Sequence, residues 1–230
     1  MPDTFSLERK TALFSQSTVF KGISMDAIRC LGQMTGSERY AKNDIVFQPE
    51  EPCNAFMLVA DGLIRVSRFS ALGKRITYLL AGPGDPINLV GPFTGAPRAY
   101  IAEAVVDSSA VKIRRKDFTA FAFSHPQLIT NIIEILGQAV DSSNSRILDM
   151  VEKNVIQRLI RSLHTLFKKF GSTLNFTAEE IAELTGTTTE SSLRVLSTLR
   201  RNGIIEKTRG KIRILNPDAL LDIESDDLWI

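Results

Sequence analysis

Only two histidines and two cysteines occur in 230 residues, and the formal net charge is just +2. Each shortage removes a class of function. Cys30 and Cys53 cannot build a disulfide framework, so reduced thiols are expected, and they are too few for a four-cysteine iron–sulfur cluster within one chain. His125 and His164 stand far apart in sequence, without the clustered histidine and carboxylate ligands of a metal-dependent oxygenase, so neither a metal site nor catalysis is expected. No apolar run approaches the roughly 18 residues of a membrane span. The opening MPDTFSLERK has no hydrophobic signal core, so the reading is a cytoplasmic protein with no membrane partner.

The near-zero net charge hides an uneven distribution. From Glu152 to Leu215 the excess is about +6, which leaves the rest of the chain mildly acidic. A basic module joined to an acidic one suits a polyanion-binding part governed by a sensor part.

Within the basic stretch, Thr177–Gly203 reads TAEEIAELTGTTTESSLRVLSTLRRNG. Thr177 and Glu180 have the spacing of a capping box, so a helix starts there. Ile181, Ala182 and Leu184 give it an apolar face, and Gly186 supplies the backbone freedom for a sharp turn. Thr188 then fits a second N-cap, with Leu193, Val195, Leu196 and Leu199 as apolar positions and Thr189, Glu190, Ser191 and Arg194 facing outward. Two short helices about a tight turn, the second with a polar outer face, is the layout of a DNA-reading helix-turn-helix. GIIEKTRGKIRILN alternates around Arg209-Gly210 as a hairpin wing.

LNFTAEEIAELTGTTTESSLRVLSTLRRNGII resembles the C-terminal helix-turn-helix of the Crp/Fnr family of bacterial transcription regulators. That family's second helix typically reads Glu-x-x-Ser-Arg or Arg-Glu-x-x-x-Arg, and Glu190 and Arg194 keep the spacing. Leu193 stands where many members have Ser or Gly, and Thr189 where cyclic-AMP-responsive members have Arg, so a different half-site is expected. The resemblance implies a homodimer on double-stranded DNA with an inverted-repeat operator. It also implies activation, with RNA polymerase as a partner. Arg194 is expected to donate to a guanine, Glu190 to accept from a cytosine amino group, Thr189 or Ser191 to meet a base or phosphate, and Leu193 to touch a thymine methyl. Arg200, Arg201, Arg209 and Lys211 are expected on phosphates.

Upstream, scattered apolar positions from Leu7 to Met34 read as short helices. From Arg39 come short β-branched or aromatic runs separated by Asp61-Gly62, Leu72-Gly73 and Gly82-Pro83-Gly84, a pattern for an antiparallel barrel or jelly roll. The block is similar to the cyclic-nucleotide-binding-type β-roll of the same family, in the family's order. The implied fold is α+β: a β-roll sensor domain over 1–125, a dimerisation helix over 126–151 and a winged helix-turn-helix over 152–230.

Gly84–Ala104, GDPINLVGPFTGAPRAYIAEA, looks like the family's phosphate-binding cassette, in which a glutamate holds a ribose hydroxyl and an Arg-Ser/Thr pair holds the cyclic phosphate. Arg98 keeps the arginine position, but Leu89 replaces the glutamate, Ala99 replaces the hydroxyl residue, and Pro86 and Pro92 remove two backbone donors. These departures argue against cyclic AMP and for another, unidentified effector. Arg98 either grips some other anion or is a structural or solvated arginine. With these replacements the pocket expected between the roll and the long helix would be mainly apolar, which suits a hydrophobic small molecule or heme. The heme ligand would have to come from His125, read as a turn or capping residue, from His164, or from Pro2, since one heme-binding branch of the family uses an N-terminal proline. A redox or gas-sensing version of the regulator, and a ligand-binding module acting on a protein partner without DNA, stay open at this point. Cys53, in a loop, shows no adjacent cationic cluster to activate it.

After Pro126 a long helix is expected. Ile129, Ile133, Leu136, Val140, Ser143, Ile147 and Met150 fall at alternating spacings of four and three, a heptad seam. Sustained spacing of this kind points to a parallel contact between two subunits. Ser142, Ser143 and Asn144 interrupt its apolar character, either to set register or because they lie near an effector. Glu152-Lys153-Asn154 reads as a hinge, Val155–Phe170 as a further amphipathic helix, and Asp222–Asp227 as a solvated acidic tail closed by Leu228-Trp229-Ile230.

Overall fold

Serine caps open the chain's first two helices: Ser6 accepts from the Arg9 amide at the start of α1 (Leu7–Gln16), and Ser24 from the Ala27 amide at the start of α2 (Met25–Gln33). The computed structural model describes residues 5–221, so Pro2, the acidic tail from Asp222 and the closing Leu228-Trp229-Ile230 lie outside the described residues. Eight strands follow: β1 (Thr35–Tyr40), β2 (Ile45–Phe47), β3 (Ala55–Asp61), β4 (Ile64–Phe69), β5 (Arg75–Ala81), β6 (Pro86–Ile87), β7 (Ile101–Ala104) and β8 (Ser108–Arg114). A four-residue helix, α3 (Gly91–Thr94), separates β6 from β7. The strands pair antiparallel in two sheets, ordered β1-β8-β3-β6 and β2-β7-β4-β5.

The period of two along β3 divides the apolar interior. Met57 and Val59 join Phe47, Ile64, Val66, Ala102 and Ala104 in a core drawn from both sheets, while Phe56 and Leu58 join Phe14, Phe20, Ile28 and Leu31 on the helical side. Phe56 stacks on Phe118 of α4 (Arg115–Ser124) with centroids 4.0 Å apart. Truncating either ring would cost about 3–5 kcal/mol.

The long helix α5 runs from Pro126 to Glu152. Leu128 and Ile132 are buried in the helix-side core, and the Asn131 amide donates to the carbonyls of Val19 at 3.0 Å and Lys21 at 2.8 Å. The chain divides into two compact units after Leu136, inside α5, a point that the expected limits at 125/126 and 151/152 bracket. The second unit adds α6 (Val155–Phe170), β9 (Thr173–Leu174), α7 (Ala178–Thr185), α8 (Thr189–Arg201), β10 (Ile205–Thr208), β11 (Lys211–Ile214) and α9 (Asp218–Leu221). Its core is aliphatic: Leu159, Leu163, Ile181, Leu196, Leu199, Ile205 and Ile212 are all buried. The wing is a three-stranded sheet, because β9 pairs with β11 beside the expected hairpin. Among the described residues no helix is long and apolar enough to cross a membrane.

Candidate functional site

Both helices of the turn motif begin as their side chains dictate. The Thr177 hydroxyl accepts from the Glu180 amide at 3.2 Å, and the Glu180 carboxylate accepts from the Thr177 amide at 2.8 Å. After α7, Gly186 turns the chain with φ 66°, the left-handed conformation that glycine adopts without strain. Thr188 accepts from the Ser191 amide at 3.2 Å and starts α8. Ser192, Val195, Leu196 and Leu199 then face inward at spacings of three, one and three, which rolls the intervening side chains out. Thr189, Glu190 and Arg194 are exposed, Leu193 is 43% exposed despite its apolar character, and Ser191 is half-buried with its hydroxyl accepting from Thr188.

Four cations border this face in sequence and are all exposed. Arg200 and Arg201 occupy the last turn of α8, while Arg209 and Lys211 flank Gly210, φ 71°, at the tip of the β10–β11 hairpin. A fifth, Lys207, was not singled out in the sequence. It is half-buried on β10, where burial, and then the nearby Arg200 charge, push its amine below the usual lysine range. Its signal was the strand period: Lys207 shares an inward face with buried Ile205 and pairs in register with Ile212.

Along α5 the heptad residues differ by position. Ile129 and Leu136 are partly buried against the helix-side core. Ile133, Val140 and Ile147 are 63%, 58% and 62% exposed, and Ser143 and Met150 are exposed as well. Ser143 turns its hydroxyl back onto the Ala139 carbonyl at 2.8 Å, which satisfies it locally.

The cassette residues lie in different surroundings. Arg98 is buried, with its guanidinium 3.9 Å from the centroid of Phe47, a residue of the core between the sheets, and its Nη1 is buried without a hydrogen-bond partner. Its backbone is held at both ends, donating to the Glu51 carbonyl and accepting from the Glu50 amide, each at 2.9 Å. Burial pulls the guanidinium below the usual arginine range, against the opposing influence of Cys53, Glu51 and Tyr40. Leu89, by contrast, packs in the helix-side core, and Ala99 is exposed. The physical reason is Asn88, whose left-handed φ of 56° breaks the strand alternation after Ile87, so Ile87 joins the core between the sheets and Leu89 the other one. Ser142, Ser143 and Asn144 belong to the second compact unit, Leu89, Arg98 and Ala99 to the first.

Cys53 is buried, accepts from the Asn88 amide nitrogen at 3.4 Å, and lies within electrostatic reach of Arg98, a cationic neighbour its sequence context did not reveal. Cys30 is exposed. His125, expected as a turn or capping residue, is the C-cap of α4: its Nδ1 lies 2.8 Å from the Phe121 carbonyl, and its ring stacks on Phe121. His164 is half-buried on α6. Among the described residues no group of three or more His, Cys, Asp or Glu side chains is placed to hold a metal ion.

Comparison with known proteins finds both halves of the chain. A family model described as "Cyclic nucleotide-binding domain" matches residues 37–125, and one described as "Crp-like helix-turn-helix domain" matches residues 157–223. The chain is 21% identical over 216 residues to a "CRP-like cAMP-activated global transcriptional regulator" of Mycobacterium tuberculosis, covering 90% of this chain and 96% of that one. It is 23% identical over 208 residues to a "Cyclic AMP receptor protein" of Thermus thermophilus, covering 90% and 96%. Among solved structures, FixK2 from Bradyrhizobium japonicum superposes with a TM-score of 0.75 at 20% identity, covering 84% of this chain and 98% of that one. The c-di-GMP responsive global regulator CLP of Xanthomonas campestris gives 0.71 at 18% identity, covering 83% and 99%. At these identities the structural likeness speaks for the fold.

Proposed function

The chain belongs to the Crp/Fnr family of DNA-binding transcription regulators, and from that premise we propose that it is a cytoplasmic homodimer that binds an inverted-repeat operator and activates transcription through RNA polymerase. One observation carries the reading: the outer face of α8, where Thr189, Glu190, Leu193 and Arg194 stand exposed on a helix fixed by its own cap. A side-chain row of this kind matches the donor and acceptor edges of a major groove. Arg194 reads a guanine, Glu190 a cytosine amino group, and Leu193 a thymine methyl. Thr188 and Ser191 hold the helix start, while Arg200, Arg201, Arg209 and Lys211 meet phosphates.

The dimer reading rests on the exposed Ile133, Val140 and Ile147, an apolar row on α5 at heptad spacing that water covers in the single chain. The working division of labour is a sensor over 1–125, a dimerisation helix over 126–151 and a DNA-binding module over 152–230. The regulator has no catalytic step. Its effector is something other than cyclic AMP, because Leu89 packs away from Arg98 and Ala99 offers no hydroxyl.

Selection from a randomised duplex library with the full-length protein tests the core of this reading. An enriched inverted repeat is expected, and Arg194→Ala is expected to relax one symmetric position in it. Enrichment of direct repeats, or of no motif at all, contradicts the proposal.

A further inference from the structure

The turn Glu152-Lys153-Asn154, read in sequence as a hinge, is bound from three sides. Asn154 caps α6, accepting from the amides of Ile156 at 3.0 Å and Gln157 at 3.1 Å, while Gln157 returns an acceptor to the Asn154 amide at 3.1 Å. The Lys153 carbonyl accepts from Arg158 Nη1 at 2.8 Å. Across the turn, Asp149 of α5 and Arg161 of α6 form an ion pair with both residues buried, and Lys153 Nζ lies 3.8 Å from the same carboxylate.

Two further arginines extend these ties to the reading motif. Arg146 of α5 donates to the Leu184 carbonyl and Arg158 of α6 to the Thr185 carbonyl, each at 3.3 Å. Those carbonyls end α7, where a helix leaves its last acceptors without intrahelical partners and where cations are favoured. Met150 also reaches this turn, its Cε 3.2 Å from where a Cβ on Gly186 would sit. Helical spacing places Arg146 and Asp149 on one side of α5, Arg146 flanking the row of Val140, Ser143 and Ile147 and Asp149 on the face turned away from it.

We infer that Asp149 and Arg161, with Arg146 and Arg158, are positioning residues for DNA recognition: they join the end of α5 to the helix-turn-helix as one rigid piece. The seam then sets the separation of the two recognition helices, and with it the one half-site spacing that the dimer accepts. This rests on the dimer reading above. The ion pair serves geometry more than stability, since a buried pair often contributes little net while loss of one partner leaves a buried charge that only an opened junction can hydrate. Arg161 Nη2 and Asp149 Oδ1, both buried without a hydrogen-bond partner, fit a pair held for orientation.

The test uses the full-length protein and the operator obtained by selection with wild type, in versions whose half-sites are moved apart or together by one or two base pairs, beside a duplex holding a single half-site. Wild type is expected to lose roughly tenfold or more for each base pair of displacement, the scale of a mismatched pair. Asp149→Asn, and separately Arg146→Gln combined with Arg158→Gln, are expected to flatten that profile to within about threefold while single half-site affinity is unchanged. The double change Asp149→Leu with Arg161→Met, which restores a packed junction without charge, is expected to recover the wild-type profile. Folded variants that keep the wild-type profile overturn the inference. If Asp149→Asn does not fold, the two glutamine substitutions, which bury no charge, decide alone. A wild type indifferent to spacing and monomeric by light scattering overturns the dimer reading and this inference with it; a dimeric wild type indifferent to spacing overturns this inference only.

Discussion

Arg194 and Lys211 are both exposed cations of the DNA-binding module, yet different losses are expected from them. Arg194 projects from the face of α8 that would meet base edges, so Arg194→Ala is expected to cost about 1–3 kcal/mol at one base position. Lys211 stands beside the wing tip, and Lys211→Ala is expected to weaken all sequences alike and to lower the slope of log affinity against log salt by about one. Binding isotherms at several salt concentrations separate the two. Lys207 adds a pH signature. Burial and Arg200 lower its pKa in the folded chain, so the unfolded chain holds more protons between that lowered value and the ordinary lysine range. Stability is therefore expected to rise with pH across that window, and Lys207→Gln is expected to flatten the rise in urea unfolding at alkaline pH.

Capping and seam chemistry act on whole elements. Thr177→Ala removes an acceptor and half of the capping box that starts α7, with an expected cost of about 1 kcal/mol in urea unfolding. Val140→Glu puts a charge into an exposed heptad position, so the fold of the single chain should tolerate it while self-association is lost in light scattering. These elements were legible because local rules specify them: the capping threonines, Gly186, the heptad spacing, and α6, which spans the expected Val155–Phe170. Less legible was whatever depends on a neighbour distant in sequence. β9 is two residues long and exists through its pairing with β11. The placement of Leu89 was hidden because Asn88 takes a left-handed conformation that asparagine tolerates but does not announce. Arg98 reads as a ligand-gripping or surface side chain until Phe47, far back along the chain, is found beneath it. Ties from Arg146 and Arg158 to the end of α7 leave no sequence pattern, since carbonyl oxygens are the same at every residue.

For the molecule as a whole, the two family matches place a sensor-type roll ahead of a DNA-reading module in one chain. The proposed independence from cyclic AMP has a direct check: cyclic AMP is expected to leave both the melting temperature and the operator affinity of the full-length protein unchanged, whereas a ligand that binds only the folded state would raise the melting temperature. The stacking of Arg98 on Phe47 bears on what any anionic signal must achieve. A desolvated contact of this type is worth about 2 kcal/mol, roughly thirtyfold in a dissociation constant. An anion that drew the guanidinium off the ring would forfeit that much of its own affinity, so only a tightly held anion could take the place of Phe47 as its partner.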